Sequence, residues 1–173
     1  MDFRDYAKQL LNDTSKSDCL KLALMIYKAG QVWGGSDTFH NSDKIVDGLL
    51  AGLTEFSSIG LTGTTASDPN YRVGVTGQRF GTSGFKPEYQ DYEPASENQV
   101  RHFVGFFAAG YSVGVPLGDV AVYLNEGTVR RTADVRLGEM ASSLGGNFFG
   151  NYKQLAQDVW HDVCGQSSNL NLP

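Results

Sequence analysis

The sequence predicts a mainly α-helical, single-domain protein: a bundle of about six helices with a long glycine-rich excursion before the fourth helix. Apolar side chains recur with the i, i+3, i+4 spacing of amphipathic helices within residues 1–53 and 96–164. Residues 54–95 show no such period. A chain of 173 residues is long enough for one hydrophobic core. Residues 165–173 are mostly polar, and we predict that this tail is frayed.

The first three helices are predicted from their apolar stripes and from residues that favour helix ends. The first covers residues 3–12, and the second covers about 17–29, with Gly30 just beyond its end. Ser42 is placed to cap a third helix. The apolar face of that helix consists of Ile45, Val46, Leu49, Leu50 and Leu53.

Residues 54–95 are rich in Gly, Thr, Ser, Asn and Pro, and we predict an ordered, irregular excursion over one face of the helices. A disordered linker would lack large apolar groups, which this segment has in number. These groups are Phe56, Ile59, Leu61, Tyr71, Val73, Val75, Phe80, Phe85, Tyr89 and Tyr92. Within the excursion, "YRVGV" (71–75) could pair with "QRF" (78–80) as a short β-hairpin.

The last three helices follow the excursion. Ser96 and Gln99 have the spacing of a capping box, which predicts the start of a fourth helix that runs to about Ser112. The fifth helix is predicted over 132–144 and the sixth over 152–164.

Charge and motif content narrow the classes of partner. Nineteen acidic and fourteen basic residues give a net charge of −5, which disfavours nucleic acid and leaves a small molecule or a protein as the expected partner. No established catalytic or metal-ligand motif is present, and the sequence predicts neither a metal site nor a particular cofactor. Cys19 and Cys164 lack ligand spacing, and without a secretion signal we expect buried free thiols rather than a disulfide.

Two segments bear on localisation. The first residues, "MDFRDYAKQLL", have acids where a signal peptide has bases, which predicts a cytoplasmic protein or one exported without a cleaved signal. Residues 103–124 approach the length of a membrane span, but Pro116, Asp119 and four glycines interrupt them. We therefore predict a soluble core helix followed by a turn.

The fourth and fifth helices both begin with polar residues and continue with small ones. Asn98, His102, Gly105 and Ala109 line up on the fourth, and Asp134, Gly138, Ala141 and Gly145 line up on the fifth. An interior glycine costs about 1 kcal/mol relative to alanine, so we expect a reason for it, such as a close helix crossing. A crossing at Gly105 and Gly138 would bring Asn98 and His102 close to Asp134.

A histidine beside a carboxylate has the arrangement of a general base or a metal ligand. We therefore predict a small hydrolase-like or effector-type domain with a polar site around His102. In this hypothesis His102 is catalytic, and Asp134 or Glu126 orients it. Arg101 and Asn98 bind an anionic or carbonyl group of the substrate.

The alternative hypothesis is a non-catalytic protein-interaction module. The same polar residues would then form a buried structural network, and the aromatic groups of the excursion would form the contact surface. An exposed aromatic loop would favour this alternative, whereas a cleft that opens onto His102 would favour the enzyme. The aromatic residues concerned are Phe80, Phe85, Tyr89 and Tyr92.

The stretches "NQVRHF" and "ADVRLGEMASSLGG" resemble a pattern of uncharacterised bacterial helical domains, some of which lie at the ends of exported toxin-like proteins. The resemblance covers residues 96–147. Those domains typically carry a further histidine–acid pair between the two helices. The corresponding stretch here, "DVAVYLNEGTVRR", contains Glu126 but no histidine. The resemblance implies a helical fold and no defined activity.

Overall fold

The computed structural model describes residues 3–35, 41–53, 80–90, 99–118 and 132–172, and it confirms the prediction of a mainly helical bundle. None of these ranges contains a strand, and the predicted hairpin lies outside them apart from its last residue. The α-helices of the described residues are α1 (Phe3–Asn12), α2 (Asp18–Ala29), α3 (Ser42–Leu53), α4 (Gln99–Val113), α5 (Ala133–Gly146) and α6 (Tyr152–Asp158).

Shorter helical turns extend this framework. A π-helical turn at Gly30–Gly34 continues α2, and another at Val159–Val163 continues α6. Pro87–Tyr89 forms a 3-10 turn. Residues 115–118 form a further helical turn after α4, and Gly114 between them has a φ of +80°, a conformation that favours glycine.

Helix α2 lies at the centre of the bundle, in contact with α1, α3 and α6. Nine of its residues are buried, where the sequence predicts a single apolar stripe. Gly30 does not end the helix as predicted, because it has a helical φ of −61° and the chain continues into the π-helical turn. A Cβ atom at Gly30 would overlap the ring of Tyr152, so the glycine allows α6 to pack closely against α2.

Helices α4 and α5 pack along much of their length, as predicted, but α4 does not make its closest approach at Gly105. A Cβ atom at Gly105 would have no atom of the described residues within 4 Å. A Cβ atom at Gly110 would overlap the Ser142 carbonyl oxygen and lie 2.7 Å from its carbonyl carbon. At Gly145 it would overlap the carbonyl oxygen of Phe107. The closest approach is therefore at Gly110 and Gly145, more than a turn further along α4 than Gly105.

The two cysteines form a disulfide, which corrects the prediction of free thiols. Cys19 at the start of α2 is joined to Cys164 after α6, across a sequence separation of 145 residues. The free-thiol prediction was wrong because pairing depends on the Cα–Cα distance, which is 5.7 Å here and is set by the packing of α6 on α2.

Residues 80–90, which we call the strap, are hydrogen-bonded to the chain beside both cysteines. The amide of Cys19 donates to the Ser83 carbonyl (3.0 Å), and the amide of Lys86 donates to the Val163 carbonyl (2.9 Å). These bonds attach the strap to the start of α2 and to the residue before Cys164. The aromatic groups of the strap are buried in the core, as predicted for the excursion. They are Phe80, Phe85 and Tyr89.

The tail differs from the frayed end that the sequence predicts. The Gln157 side chain donates to the carbonyl of Leu170 (3.1 Å) and accepts from its amide (3.0 Å). Trp160 Nε1 donates to the carbonyl of Ser168 (2.9 Å), and the Leu170 side chain is buried. Residues 165–172 are therefore docked on α6.

Within the described residues, no helix has the length and apolar character needed to cross a membrane.

Candidate functional site

The candidate site lies where the first turns of α4 and α5 meet. Thr132 begins α5, because its side-chain oxygen accepts a hydrogen bond from the amide of Val135 (3.3 Å). This cap places Asp134 in the first turn, where the helix dipole favours a carboxylate. His102 lies in the first turn of α4. The α4–α5 packing then determines which of their polar groups face each other.

The structure brings His102 and Asp134 together. His102 Nε2 lies 3.9 Å from Asp134 Oδ2, which is an ion-pair distance and is longer than a hydrogen bond. The side chain of His102 is 20% exposed and that of Asp134 is 11% exposed. The imidazole therefore reaches solvent, while the carboxylate behind it is largely shielded. This is the juxtaposition that the α4–α5 hypothesis predicts, although Gly105 does not produce it.

Gln99 holds the carboxylate in place. Its side chain is completely buried, and Nε2 donates to Asp134 Oδ1 (2.8 Å) and to the Tyr89 carbonyl (2.9 Å). Each carboxylate oxygen thus has a different neighbour: Gln99 on Oδ1 and His102 on Oδ2. The Oε1 atom of Gln99 has no hydrogen-bond partner within the described residues.

The sequence hypothesis missed Gln99 as a site residue, because the capping-box spacing assigned its side chain to the backbone near Ser96. That residue lies outside the described residues. A signal was nevertheless present: Gln99 and His102 are three residues apart, and residues at this spacing share a helix face. The face of α4 that meets Asp134 therefore passes through Gln99 and His102.

The ring of Phe106 lies against the His102 ring and contributes to its orientation. The His102 ring stacks on Phe106, one turn further along α4, with centroids 6.3 Å apart and planes inclined by 26°. Phe106 is itself buried in the core. The imidazole is thus held between an aromatic ring and a carboxylate, which restricts its rotation without removing it from solvent.

The remaining predicted site residues are placed as follows. Arg101 lies beside His102 on α4 and is partly buried. Asn98 and Glu126 lie outside the described residues, so their predicted roles stay predictions. Within the described ranges, no group of three or more His, Cys, Asp or Glu residues is arranged to hold a metal ion.

The site can perform proton transfer in chemical terms. A neutral imidazole can accept a proton from a solvent-side group, and the Asp134 carboxylate lies 3.9 Å from the His102 ring. Gln99 limits the freedom of that carboxylate to turn away.

No protein-family model, curated protein or solved structure matches the chain. The resemblance to bacterial helical domains therefore stays a prediction.

Proposed function

We propose that this chain is a small hydrolase-like domain of the effector type in which His102 is the general base or a ligand and Asp134 orients it. One observation carries the proposal: a partly exposed imidazole lies 3.9 Å from a carboxylate that a buried amide holds. The exposed fraction of the His102 side chain, 20%, leaves the ring accessible to a substrate or a water molecule.

In the proposed mechanism His102 removes a proton from water or from a substrate hydroxyl group. Asp134 stabilises the positive charge that then forms on the ring. Gln99 keeps Asp134 directed at the ring, and Phe106 supports one ring face. Arg101, with Asn98, binds an anionic or carbonyl group of the substrate. Glu126 is the second candidate for the orienting acid, and it lies outside the described residues.

The interaction-module hypothesis has less support. It requires exposed aromatic groups on the excursion, whereas Phe80, Phe85 and Tyr89 are each at most 7% exposed and belong to the core. Tyr92 lies outside the described residues. The buried pair of Gln99 and Asp134 is compatible with either hypothesis, and the partial exposure of His102 supports the enzyme.

We also propose that the domain acts outside the cytoplasm. The disulfide supports this proposal, because such bonds form and persist in oxidising compartments and are rare in the cytoplasm. Of the two localisations that the sequence allows, export is the one consistent with a disulfide. Export also agrees with the exported proteins that the resemblance suggests.

The proposal is tested with His102→Ala and a matched control, His161→Ala. Both histidines are partly buried, but the Nδ1 atom of His161 bonds the Gln166 carbonyl (2.6 Å) far along the chain from the site. We expect His102→Ala to change the free energy of unfolding by less than about 0.5 kcal/mol and His161→Ala to lower it by about 1 kcal/mol. Urea denaturation measures both changes.

Activity is measured on a panel of p-nitrophenyl esters, bis(p-nitrophenyl) phosphate and labelled casein. We expect turnover of at least one substrate, its loss in His102→Ala and its retention in His161→Ala. Asp134→Asn should lower the rate by about 10²–10⁴-fold, the usual contribution of a positioned acid–base pair. If His102→Ala loses about 1–3 kcal/mol of stability and the wild type turns over nothing, the polar group is a structural network and the proposal fails.

A further inference from the structure

The disulfide, the strap and the candidate site form one continuous set of contacts. At its beginning, the Asp18 carboxylate accepts hydrogen bonds from the amide (3.2 Å) and the hydroxyl group (2.6 Å) of Ser83. The Ser83 hydroxyl in turn accepts from the amide of Asp18 (2.9 Å). Cys19, the next residue, bonds the Ser83 carbonyl as well. The first part of the strap is therefore fixed to the cysteine end of α2.

The next part of the strap is fixed beside the other cysteine. Lys86 donates its amide to the carbonyl of Val163, the residue before Cys164. Gly165 follows Cys164 with a φ of +72°, and a Cβ atom there would lie 3.0 Å from the side chain of Lys86. The strap is thus bonded to two segments that the disulfide joins, the start of α2 and residues 163–165. We call these two segments the walls of its slot.

The far end of the strap reaches the site. Its 3-10 turn, Pro87–Tyr89, packs against α5, and the carbonyl of Tyr89 accepts from Gln99 Nε2. Burial raises the pKa of the Tyr89 phenol above its ordinary value, and the nearby carboxylates of Glu88 and Asp162 add to the rise. The Tyr89 side chain is buried, so it anchors the turn in the core.

We propose that the disulfide controls the assembly of the site: only the oxidised chain holds the strap so that Gln99 fixes Asp134 against His102. The chemistry assigned to His102 rests on the proposed function, whereas the coupling rests on the contacts themselves. In a reducing compartment a dithiol keeps the unfolded chain reduced: it breaks any S–S bond, becomes a cyclic disulfide, and leaves two cysteine thiols. The walls of the slot are then no longer tied together, and the strap has only hydrogen bonds to hold it.

The control acts when the chain folds. Cys19 is fully buried and Cys164 is 5% exposed, so the folded, oxidised chain shields its disulfide from reductants. A chain that folds in a reducing compartment does not close the bond, and its Gln99 amide loses the fixed Tyr89 carbonyl. The domain would therefore be inactive where it is made and active after it reaches an oxidising compartment.

The test compares the chain refolded with and without a dithiol, by two NMR measurements that need no substrate. The first is hydrogen exchange of the Gln99 side-chain amide, and the second is the pair of ring ¹⁵N shifts of His102. Without the disulfide we expect exchange to accelerate by about tenfold or more, because the loss of one hydrogen bond changes an opening equilibrium by about that factor. The ¹⁵N shifts should move as the Asp134 contact is lost.

A second variant keeps the test valid if the reduced chain does not fold. Asp18→Ala removes the two Ser83 bonds while the disulfide stays intact, and we expect the same two NMR changes in smaller degree. Asp13→Ala is the matched control, because Asp13 likewise accepts from the amide and hydroxyl of a serine, Ser15, and pairs with a lysine. The carboxylate of Asp13 bonds Ser15 and Lys16, which lie outside the strap, so its removal should leave both NMR signals unchanged.

The outcomes separate the coupling from the proposed function. Gln99 exchange that is equally slow in the folded reduced chain, or in oxidised Asp18→Ala, overturns the coupling. Equal effects of Asp18→Ala and Asp13→Ala overturn it as well, since they would show only general destabilisation. An intact NMR response in a protein that turns over no substrate supports the coupling and counts against the hydrolase-like activity alone.

Discussion

A methyl group added at Gly110 should push α4 and α5 apart. In Gly110→Ala the new Cβ atom would overlap the Ser142 carbonyl oxygen and lie 2.7 Å from the carbonyl carbon. Both are backbone atoms of α5, so no side chain can turn away to make room. Relief requires the helices to separate by roughly 1 Å, and a gap of that size forfeits up to about half of the dispersion energy of the contacts it opens.

The net effect follows from two opposing contributions. Overpacking at a backbone contact costs about 3 kcal/mol, the upper part of the usual range. Replacing an interior helix glycine by alanine raises the free energy of unfolding by about 1 kcal/mol through helix propensity. Gly110→Ala should therefore lower the free energy of unfolding by about 2 kcal/mol, which for a chain of this size corresponds to a fall in Tm of about 4–8 °C.

Gly105→Ala is the matched control on the same helix. A Cβ atom there meets no described atom within 4 Å, so only the helix-propensity gain of about 1 kcal/mol should remain. Thermal and urea denaturation of both variants should thus give changes of opposite sign. If Gly110→Ala is as stable as Gly105→Ala, α4 and α5 do not make their closest approach at Gly110, and the packing that brings Asp134 to His102 is wrong.

Three further predictions concern other contacts. Reducing the disulfide should lower the free energy of unfolding by about 4–5 kcal/mol, given its 145-residue separation, and urea denaturation with and without reductant measures the loss. Tyr111→Phe removes the phenol's hydrogen bond to Asp43 and should cost about 1 kcal/mol at pH 7. Burial, assisted by Asp43, raises the pKa of Tyr111. The stabilisation is therefore complete below pH 10.0 and is lost as pH rises through the raised pKa. If the difference in free energy of unfolding between wild type and variant does not narrow in that range, the assignment is contradicted. Gln157→Ala removes both bonds to Leu170 and should make the tail rapidly cleavable by protease while α6 survives; unchanged cleavage would show that other contacts hold the tail.

Local sequence signals predict the helices of the site well. The fourth helix was expected to end at about Ser112 and ends at Val113, and the fifth was expected over 132–144 and spans Ala133–Gly146. Caps and apolar periods are properties of neighbouring residues, so they can be recognised in the sequence alone. The sequence alone does not distinguish Gly105 from Gly110 as the crossing point, because the crossing point depends on how one helix is rotated against the other.

The site shows the same division between local and tertiary information. His102 and Asp134 could be paired from the sequence, because each lies in the first turn of its helix and the two helices were expected to pack. Gln99 could not be assigned, because the burial of its amide depends on Tyr89 and on α5. The disulfide and the docked tail likewise join residues whose proximity only the complete fold creates.

The sequence separation of the disulfide has a consequence for the timing of folding. Cys19 emerges from the ribosome 145 residues before Cys164. At about 5–20 residues per second, the first cysteine waits roughly 7–30 s for its partner. Hairpins and helices form within microseconds, so local structure can appear long before the covalent link. During that interval the segment that becomes the strap can bond Cys19 but not Val163, which has not yet been made, so its attachment at both ends is among the last events of folding.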